Sequence, residues 1–288
     1  METAVIPQFD PVKYKNTTRE QWQTAAEAWW RWSPFLNKWL GKATDTMLEM
    51  SRVQPGNNIL DVAAGAGEQS VTVAKKVGPS GHVLATDISS NILEFARQLA
   101  AQEGVKNVAT EVMDGENLTV KEGTFDVVIS RVGLIYFPDQ QKALRGMWRA
   151  LKPGGRIAAI VYSTPDKNKF FSIPVGIIRN RAKLPPPLPG QPGPFSLGAA
   201  GVIEQAFIQA GFKNPKSTLV DSPLLMKNAG ECVRFEKESF GALHQMMSAL
   251  TDKEKAAVWE EIESALKVFE TDNGFIGPCE MIVAVAEK

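Results

Sequence analysis

The chain has 288 residues, 44% of them hydrophobic, which is ample for one sizeable α/β core with an appended lid. Lysine plus arginine equals aspartate plus glutamate at 32 each, so there is no basic surplus to hold a polyanion, and nucleic acid is not expected as a partner. The only histidines, His82 and His244, and the only cysteines, Cys232 and Cys279, fit no metal spacing, which predicts free thiols in a reducing compartment and no metal site.

Met1 to Gln8 has no basic region followed by an apolar run, so it does not read as a signal peptide. No apolar stretch approaches the ~20 residues of a membrane span. These features predict a cytoplasmic protein without stable membrane insertion. Residues 1 to about 16 read as an extended arm. Thr17 or Thr18 is a candidate cap for a helix running to about Trp32. Ser33-Pro34 should break that helix, because the residue before a proline avoids the helical region. Pro34 can open a second helix through about Leu40, and a third is expected over 42–53. Trp22, Trp29 and Trp32 fall near one helical face and Trp30 lies off it. The rings either pack a helix on the sheet or cover a ligand.

After the turn Gln54-Pro55-Gly56-Asn57, strands and helices alternate. Strands are expected at 58–63, 82–87, 107–113, 125–130 and 155–163, with helices near 67–77, from Ser89 or Ser90 to about Glu103, and over 138–151. Such alternation implies crossover units and a parallel sheet covered on both faces. Past Tyr162 the pattern changes. Leu184 to Pro194 is too proline-dense for helix or interior strand, and predicts a stiff loop within the domain. A helix at 199–211 and a strand near 214–221 resume the core. Residues 227–270 read as mostly helical, and Met281 to Ala286 as the closing strand. One domain spans 1–288, with an N-terminal helical lid or arm at 1–53, a cofactor-binding core at 54–163, and lid insertions at 164–198 and 222–276.

The stretch Ile59-Leu60-Asp61-Val62-Ala63-Ala64-Gly65-Ala66-Gly67 is the most informative. An apolar run ends in an acid and a glycine-rich turn, and helix-compatible residues follow. Gly65 and Gly67 let backbone approach a ligand where a Cβ would block it. Asp87 ends the next strand, 20 residues past Gly67, where a carboxylate can accept hydrogen bonds from a ribose diol. The two signals together predict a nucleoside-containing cofactor across the carboxyl ends of a parallel sheet.

Further parts follow in order: Asp114-Gly115-Glu116-Asn117-Leu118, Phe125-Asp126-Val127-Val128-Ile129-Ser130, and Leu151-Lys152-Pro153-Gly154-Gly155-Arg156. With the glycine loop and Asp87, these residues resemble a class I S-adenosylmethionine-dependent methyltransferase, and more closely the branch of the ubiquinone and menaquinone biosynthesis methyltransferases. The resemblance covers about 57–163 strongly, and 195–221 and 277–287 more loosely. Ala63 and Ala64 depart from it, since the family often has glycine or cysteine near this turn.

The resemblance implies a Rossmann-like, seven-stranded, mostly parallel sheet of order 3-2-1-4-5-7-6, the last strand antiparallel, with a helical lid. It also implies S-adenosyl-L-methionine as cofactor. Gly65 and Gly67, with Ala63 beside them, would present backbone to its amino-acid part, and Asp61 would orient the loop and reach the ammonium. Asp87 would take both ribose hydroxyls and Ile88 would pack on adenine. Asp114 would accept from the exocyclic amine, with the Gly115 N–H beside it. Ser130 and Arg131 would sit by the methionyl group. Each has a plainer alternative: Asp61 capping the turn, Asp87 capping a helix, Asp114 making an Asx-turn, Arg131 in a surface ion pair.

Transfer of a sulfonium methyl is an in-line displacement, in which the enzyme chiefly positions the reactants and excludes water. A base is needed only where the acceptor must lose a proton. His244 is the candidate by its ordinary pKa, set against a packed or surface role. Trp30, Tyr136, Tyr162 and Met247 are candidates for the acceptor pocket. Abundant apolar and aromatic lid residues point to a hydrophobic small molecule, and the resemblance to an aromatic, quinol-like or polyketide-like acceptor methylated on oxygen or carbon. An N-methyltransferase acting on a small amine and a non-catalytic S-adenosylmethionine-binding protein stay open, and a homodimer is possible. A nicotinamide-dependent oxidoreductase fits less well, because Gly65-Ala66-Gly67-Glu68-Gln69-Ser70 supplies only serine as its third small residue.

Overall fold

The computed structural model describes residues 9–188 and 191–288. Its first element is one helix, α1, Pro11–Met50. Asp10 caps it by accepting from the Val12 and Lys13 N–H groups, each at 3.0 Å. Pro11 sits in the first turn, where a missing N–H has no intrahelical partner to lose.

The expected three pieces are therefore one, and residues 11–16 are helical; residues 1–8 of the expected extended arm lie outside the described residues. Pro34 lies within α1 on an exposed face, so the carbonyl it leaves without a partner opens to water. The opposite face buries Leu36, Trp39, Leu40, Ala43, Met47 and Leu48. An interior proline costs ~3 kcal/mol. Each large apolar side chain buried in full contributes ~1.5–3 kcal/mol, and several such chains outweigh the proline.

The crossover units form as expected: β1 Asn58–Val62, α2 Glu68–Val77, β2 His82–Asp87, α3 Ser90–Gln102, β3 Val108–Val112, β4 Phe125–Arg131, α4 Gln140–Ala150 and β5 Leu151–Tyr162. Within β5 the residues of the Lys152-Pro153-Gly154-Gly155 turn bulge from the ladder. Phe125 pairs with Leu151, and Val127 next pairs with Arg156. Ile59, Leu60 and Val62 are all buried although they alternate in direction, as a strand covered on both faces requires.

The C-terminal half comprises α5 Lys169–Arg181, α6 Val202–Gln209, β6 Lys213–Asp221, β7 Leu224–Met226, α7 Ala229–Ser239, α8 Gly241–Met246, α9 Asp252–Leu266, β8 Glu270–Thr271, β9 Gly274–Gly277 and β10 Glu280–Glu287. The main sheet has the order β3-β2-β1-β4-β5-β10-β6. β10 runs antiparallel to both neighbours and takes the place expected for the seventh strand.

Two features differ from expectation. The segment expected as a loop over 164–198 contains α5, whose Phe170, Phe171 and Ile178 are buried. β7, β9 and β8 form a second small antiparallel sheet, built from strands too short to carry a period. Of the proline-dense stretch, 184–188 and 191–194 are irregular, and residues 189 and 190 lie outside the described residues. Among the described residues no helix is long and apolar enough to cross a membrane.

Candidate active site at the strand ends

A crevice opens over the carboxyl ends of β1, β2 and β4. The space left by protein atoms within it and its mouth is about 1050 Å³. Its floor is the β1–α2 loop, Ala63 to Ala66, and its roof is α1 through Lys15, Thr18, Trp22, Trp29 and Trp39.

The floor is conformationally strained. Ala63 has φ +60° and Val132, which follows β4, has φ +60°. Non-glycine residues in this left-handed region cost of order 1–3 kcal/mol and persist where the surroundings over-determine them. Both line the crevice. Gly67, with φ +90°, does not line it: a Cβ there would stand 2.7 Å from the Ala96 Cβ on α3. Its smallness serves the packing of the loop on α3, not ligand approach.

Asp87 ends β2 in the crevice wall. One carboxylate oxygen accepts from the Gly65 N–H at 3.1 Å, the other from the Ser89 N–H at 2.9 Å. The helix cap is Ser89 itself, whose hydroxyl accepts from the Ile92 N–H at 3.2 Å, so the capping alternative for Asp87 falls to its neighbour. Burial raises the Asp87 carboxyl to about 6 despite the backbone donors. Ile88, Ile92 and Met113 supply apolar wall beside it.

Asp61 is fully buried behind the loop and does not line the crevice. It accepts from Ser70 Oγ at 2.5 Å and from the Gln69 amide. Burial raises it to about 7, while Ser70, Arg131 and Gln69 act in the opposite direction. Ser130 is likewise buried behind the wall, its Oγ without a partner among the described residues.

Arg131 reaches the crevice in a buried ion pair, not the surface pair considered from sequence. Its guanidinium lies 3.3 Å from Glu68 Oε2 and 3.3 Å from Thr44 Oγ1. Burial lowers its pKa, opposed by the charges of Glu68 and Asp61. Glu68 also accepts from Ser33 Oγ at 2.5 Å, which fastens α1 to the first turn of α2.

Asp114 and Gly115 also line the crevice. Asp114 does make an Asx-turn, accepting from the Glu116 N–H at 3.0 Å. Lys15 Nζ donates to its other oxygen at 2.8 Å and also to Glu116. Partial burial pushes the Asp114 carboxyl up, but these donors outweigh it and hold it below the ordinary value. Gly115 must lack a side chain, since a Cβ would stand 2.5 Å from the Phe137 ring.

The crevice also has an aromatic lining, a chamber that includes Trp22, Trp29, Trp39, Tyr136, Tyr162 and Phe240. Trp22 lies 5.4 Å from both Trp29 and Tyr136. Tyr136 and Tyr162 were foreseen as pocket residues and do line it. Three others are placed elsewhere. Trp30 stacks on Phe95 of α3 at 5.6 Å and does not line the crevice. Met247 is fully buried in the main core. His244 is exposed on α8, its Nε2 2.7 Å from the Lys237 carbonyl oxygen and its ring 5.7 Å from Trp259. It does not line the crevice.

Lys15, Glu68 and Gln69 line the crevice and were not foreseen, whereas Trp22 stands where the ligand-covering alternative for its helix put it. Lys15 meets Asp114 across 99 positions of chain, and no local pattern signals such a contact. Among the described residues there is no group of three metal-ligating side chains.

The donor set fits a nucleoside with an amino-acid tail. It offers a carboxylate for a diol, an apolar slot, a second carboxylate beside it, and buried acids near the glycine loop. Residues 37–174 match the model of the ubiE/COQ5 methyltransferase family. A putative methyltransferase from Bacillus halodurans superposes over 86% of this chain and 99% of its own, with a TM-score of 0.59 at 19% identity. The fold is that of a class I S-adenosylmethionine-dependent methyltransferase. A demethylmenaquinone methyltransferase of Listeria monocytogenes is 37% identical over 119 residues, 41% of this chain and 50% of the relative. A ubiquinone/menaquinone biosynthesis C-methyltransferase of Ectopseudomonas mendocina is 40% identical over 119 residues, 41% of this chain and 46% of its own length. The chain thus spans about half the length of the curated relatives it matches.

Proposed function

We propose that this protein transfers the methyl group of S-adenosylmethionine to a hydrophobic, aromatic small molecule, on oxygen or carbon. The observation that carries this reading is one crevice lined both by carboxylates and a glycine loop and by a set of aromatic rings. When bound, the cofactor supplies an activated sulfonium methyl. Asp87 holds the ribose hydroxyls, Ile88 and Met113 flank the adenine, and Asp114 with the Gly115 N–H meets its amine edge. Ala63 and Gly65 present backbone to the amino-acid tail. Asp61, Gly67 and Ser130 act from behind, Asp61 by fixing Gln69 and Ser70 at the start of α2. The pair of Arg131 with Glu68 sets the charge at the methionyl end.

The protein's contribution to rate is then positional. Holding reactants in line supplies roughly 7–11 kcal/mol of a barrier. The N-terminal helix, the 164–198 segment and the 222–276 segment form the lid, and its tryptophans exclude water from a reaction in which charge disperses. Trp29, Tyr136 and Tyr162 take the acceptor's ring. The relatives' names include C-methylation of quinone precursors, and the chamber suits a ring of that kind.

Calorimetric titration with S-adenosylmethionine, S-adenosylhomocysteine and NADH tests the reading. Saturable binding of both sulfur nucleosides and none of NADH is expected. Binding of NADH alone would overturn it.

A further inference from the structure

Tyr136 and Tyr162 line the crevice, and the reading above uses only their rings. Among the described residues neither hydroxyl has a hydrogen-bond partner, and neither is sealed off as Trp29 Nε1 and Ser130 Oγ are. A tyrosine hydroxyl packed in protein ordinarily finds a partner, so two without one call for an account. The other hydroxyl in the lining, that of Thr18, is engaged with Tyr14.

The fold brings the two tyrosines together. Tyr136 closes the 3-10 turn Leu134–Tyr136 after β4, and Tyr162 ends β5, the next strand of the sheet. β4 and β5 pair in parallel with Arg131 opposite Ile160, so both residues stand at the carboxyl ends of neighbouring strands. The turn rests on the glycine loop, since a Cβ on Gly133 would stand 2.6 Å from the Ala63 Cβ. Tyr136 is therefore next to the loop that takes the methionyl group in the proposed site. Neighbouring rings fix both phenols. Tyr136 meets Trp22 edge to face at 5.4 Å, and Tyr162 stacks on Trp39 at 6.5 Å and on Phe171 at 6.3 Å. Burial raises both above the ordinary phenol value, and the nearness of Tyr136 raises Tyr162 further. Both keep their protons through the neutral range and have them free to donate.

We infer that the Tyr136 and Tyr162 hydroxyls are the donors that hold an oxygen on the acceptor's ring, and so set which ring position faces the methyl donor. The inference rests on the crevice being the acceptor site. It narrows the acceptor from aromatic rings in general to rings that carry a carbonyl or phenolic oxygen able to accept. A few fixed polar groups in an otherwise apolar pocket are the usual means of orienting a small molecule. Neither tyrosine takes up or releases a proton in this role.

The test compares 1-tetralone, whose carbonyl can only accept, with tetralin, which lacks it, each titrated by tryptophan fluorescence with and without S-adenosylhomocysteine. The wild-type protein should prefer the ketone by about ten-fold. Its bound carbonyl stretch, read by infrared difference spectroscopy, should move to lower wavenumber. Tyr136→Phe and Tyr162→Phe should each shrink the preference, and the double variant should lose both the preference and the shift. Tetralin affinity and melting temperature should stay as in the wild type, because the rings remain and the lost hydroxyls had no partner. A preference or shift that survives in the double variant, or that is absent from the wild type, would overturn the assignment. Failure of the wild type to bind S-adenosylhomocysteine, with the ketone preference intact, would instead remove the cofactor and leave the two donors standing.

Discussion

At the scale of single residues, Asp87 carries the heaviest load in the site. Its two oxygens already accept from the Gly65 and Ser89 N–H groups, so it shapes the glycine loop before any ligand arrives. Each oxygen has lone pairs left for a ribose hydroxyl. Asp87→Asn keeps the shape but removes the charge and turns one oxygen into a donor. Hydrogen bonds to a charged group contribute ~1.5–3 kcal/mol, so affinity for S-adenosylhomocysteine should fall by about 10- to 100-fold in calorimetry. Unchanged affinity would place the ribose elsewhere. The role of Asp87 was legible because an acid at a strand end after a glycine loop is a local pattern. The misplaced residues, Trp30, Met247 and His244, were chosen by chemical type, and type says nothing of the direction a side chain points.

At the scale of elements, α1 is both roof and core. Its C-terminal half buries a continuous stripe against the sheet, and its N-terminal half is fastened by polar contacts. Lys15 bridges to Asp114 and Glu116, and Gln23 Oε1 accepts from Ser89 Oγ at 2.6 Å and from the Asn91 N–H at 2.9 Å. Lys15 holds one oxygen of the carboxylate that, in the proposed site, an adenine amine would seek. Lys15→Met should change stability by no more than ~1 kcal/mol, the usual worth of a partly exposed pair. It should also speed amide exchange in the first turns of α1 and raise the association rate of S-adenosylhomocysteine in stopped-flow. Exchange and association both equal to wild type would show that Lys15 does not hold the roof. Pro34 offers a second test on this helix. Its ring is exposed and it removes one helical hydrogen bond, so Pro34→Ala should stabilise the protein by ~1–3 kcal/mol, seen as a higher midpoint in urea. A lower midpoint would mean that the proline is needed where it stands.

At the scale of the whole molecule, pH should act on stability and on cofactor binding with opposite signs. Asp61 is raised to about 7 and Asp87 to about 6, both chiefly by burial, from an ordinary 3.8. A raised folded-state value means that the native protein holds these protons more tightly than the unfolded chain. Their contribution to stability is full below about pH 4 and is lost as pH rises through about 6 to 7. Ligand-free thermal midpoints should therefore decline between about pH 4 and 7 on account of these two groups. The proposed binding calls for ionised carboxylates, so affinity for S-adenosylhomocysteine should rise as pH passes through about 6 to 7. Affinity independent of pH there would disconnect the two acids from the ligand.

The sequence by itself determined the sheet and the cofactor end. β1, β2, β4 and β5 are apolar runs with punctuated ends, and their order follows from crossover units of one hand. Asp87, Gly65 and Asp114 sit at strand ends, so strand position alone places them together over the switch point. Only the tertiary structure decided the rest. It kept α1 whole through Pro34, because burial of the opposite face outweighs one lost hydrogen bond. It put a helix at Lys169–Arg181, a piece interrupted by Pro174 and next to a proline-dense stretch that hides it. It brought Lys15 to Asp114 and Glu68 to Arg131. Those contacts join distant segments through side chains whose direction depends on packing around them, and no local period or spacing encodes that packing.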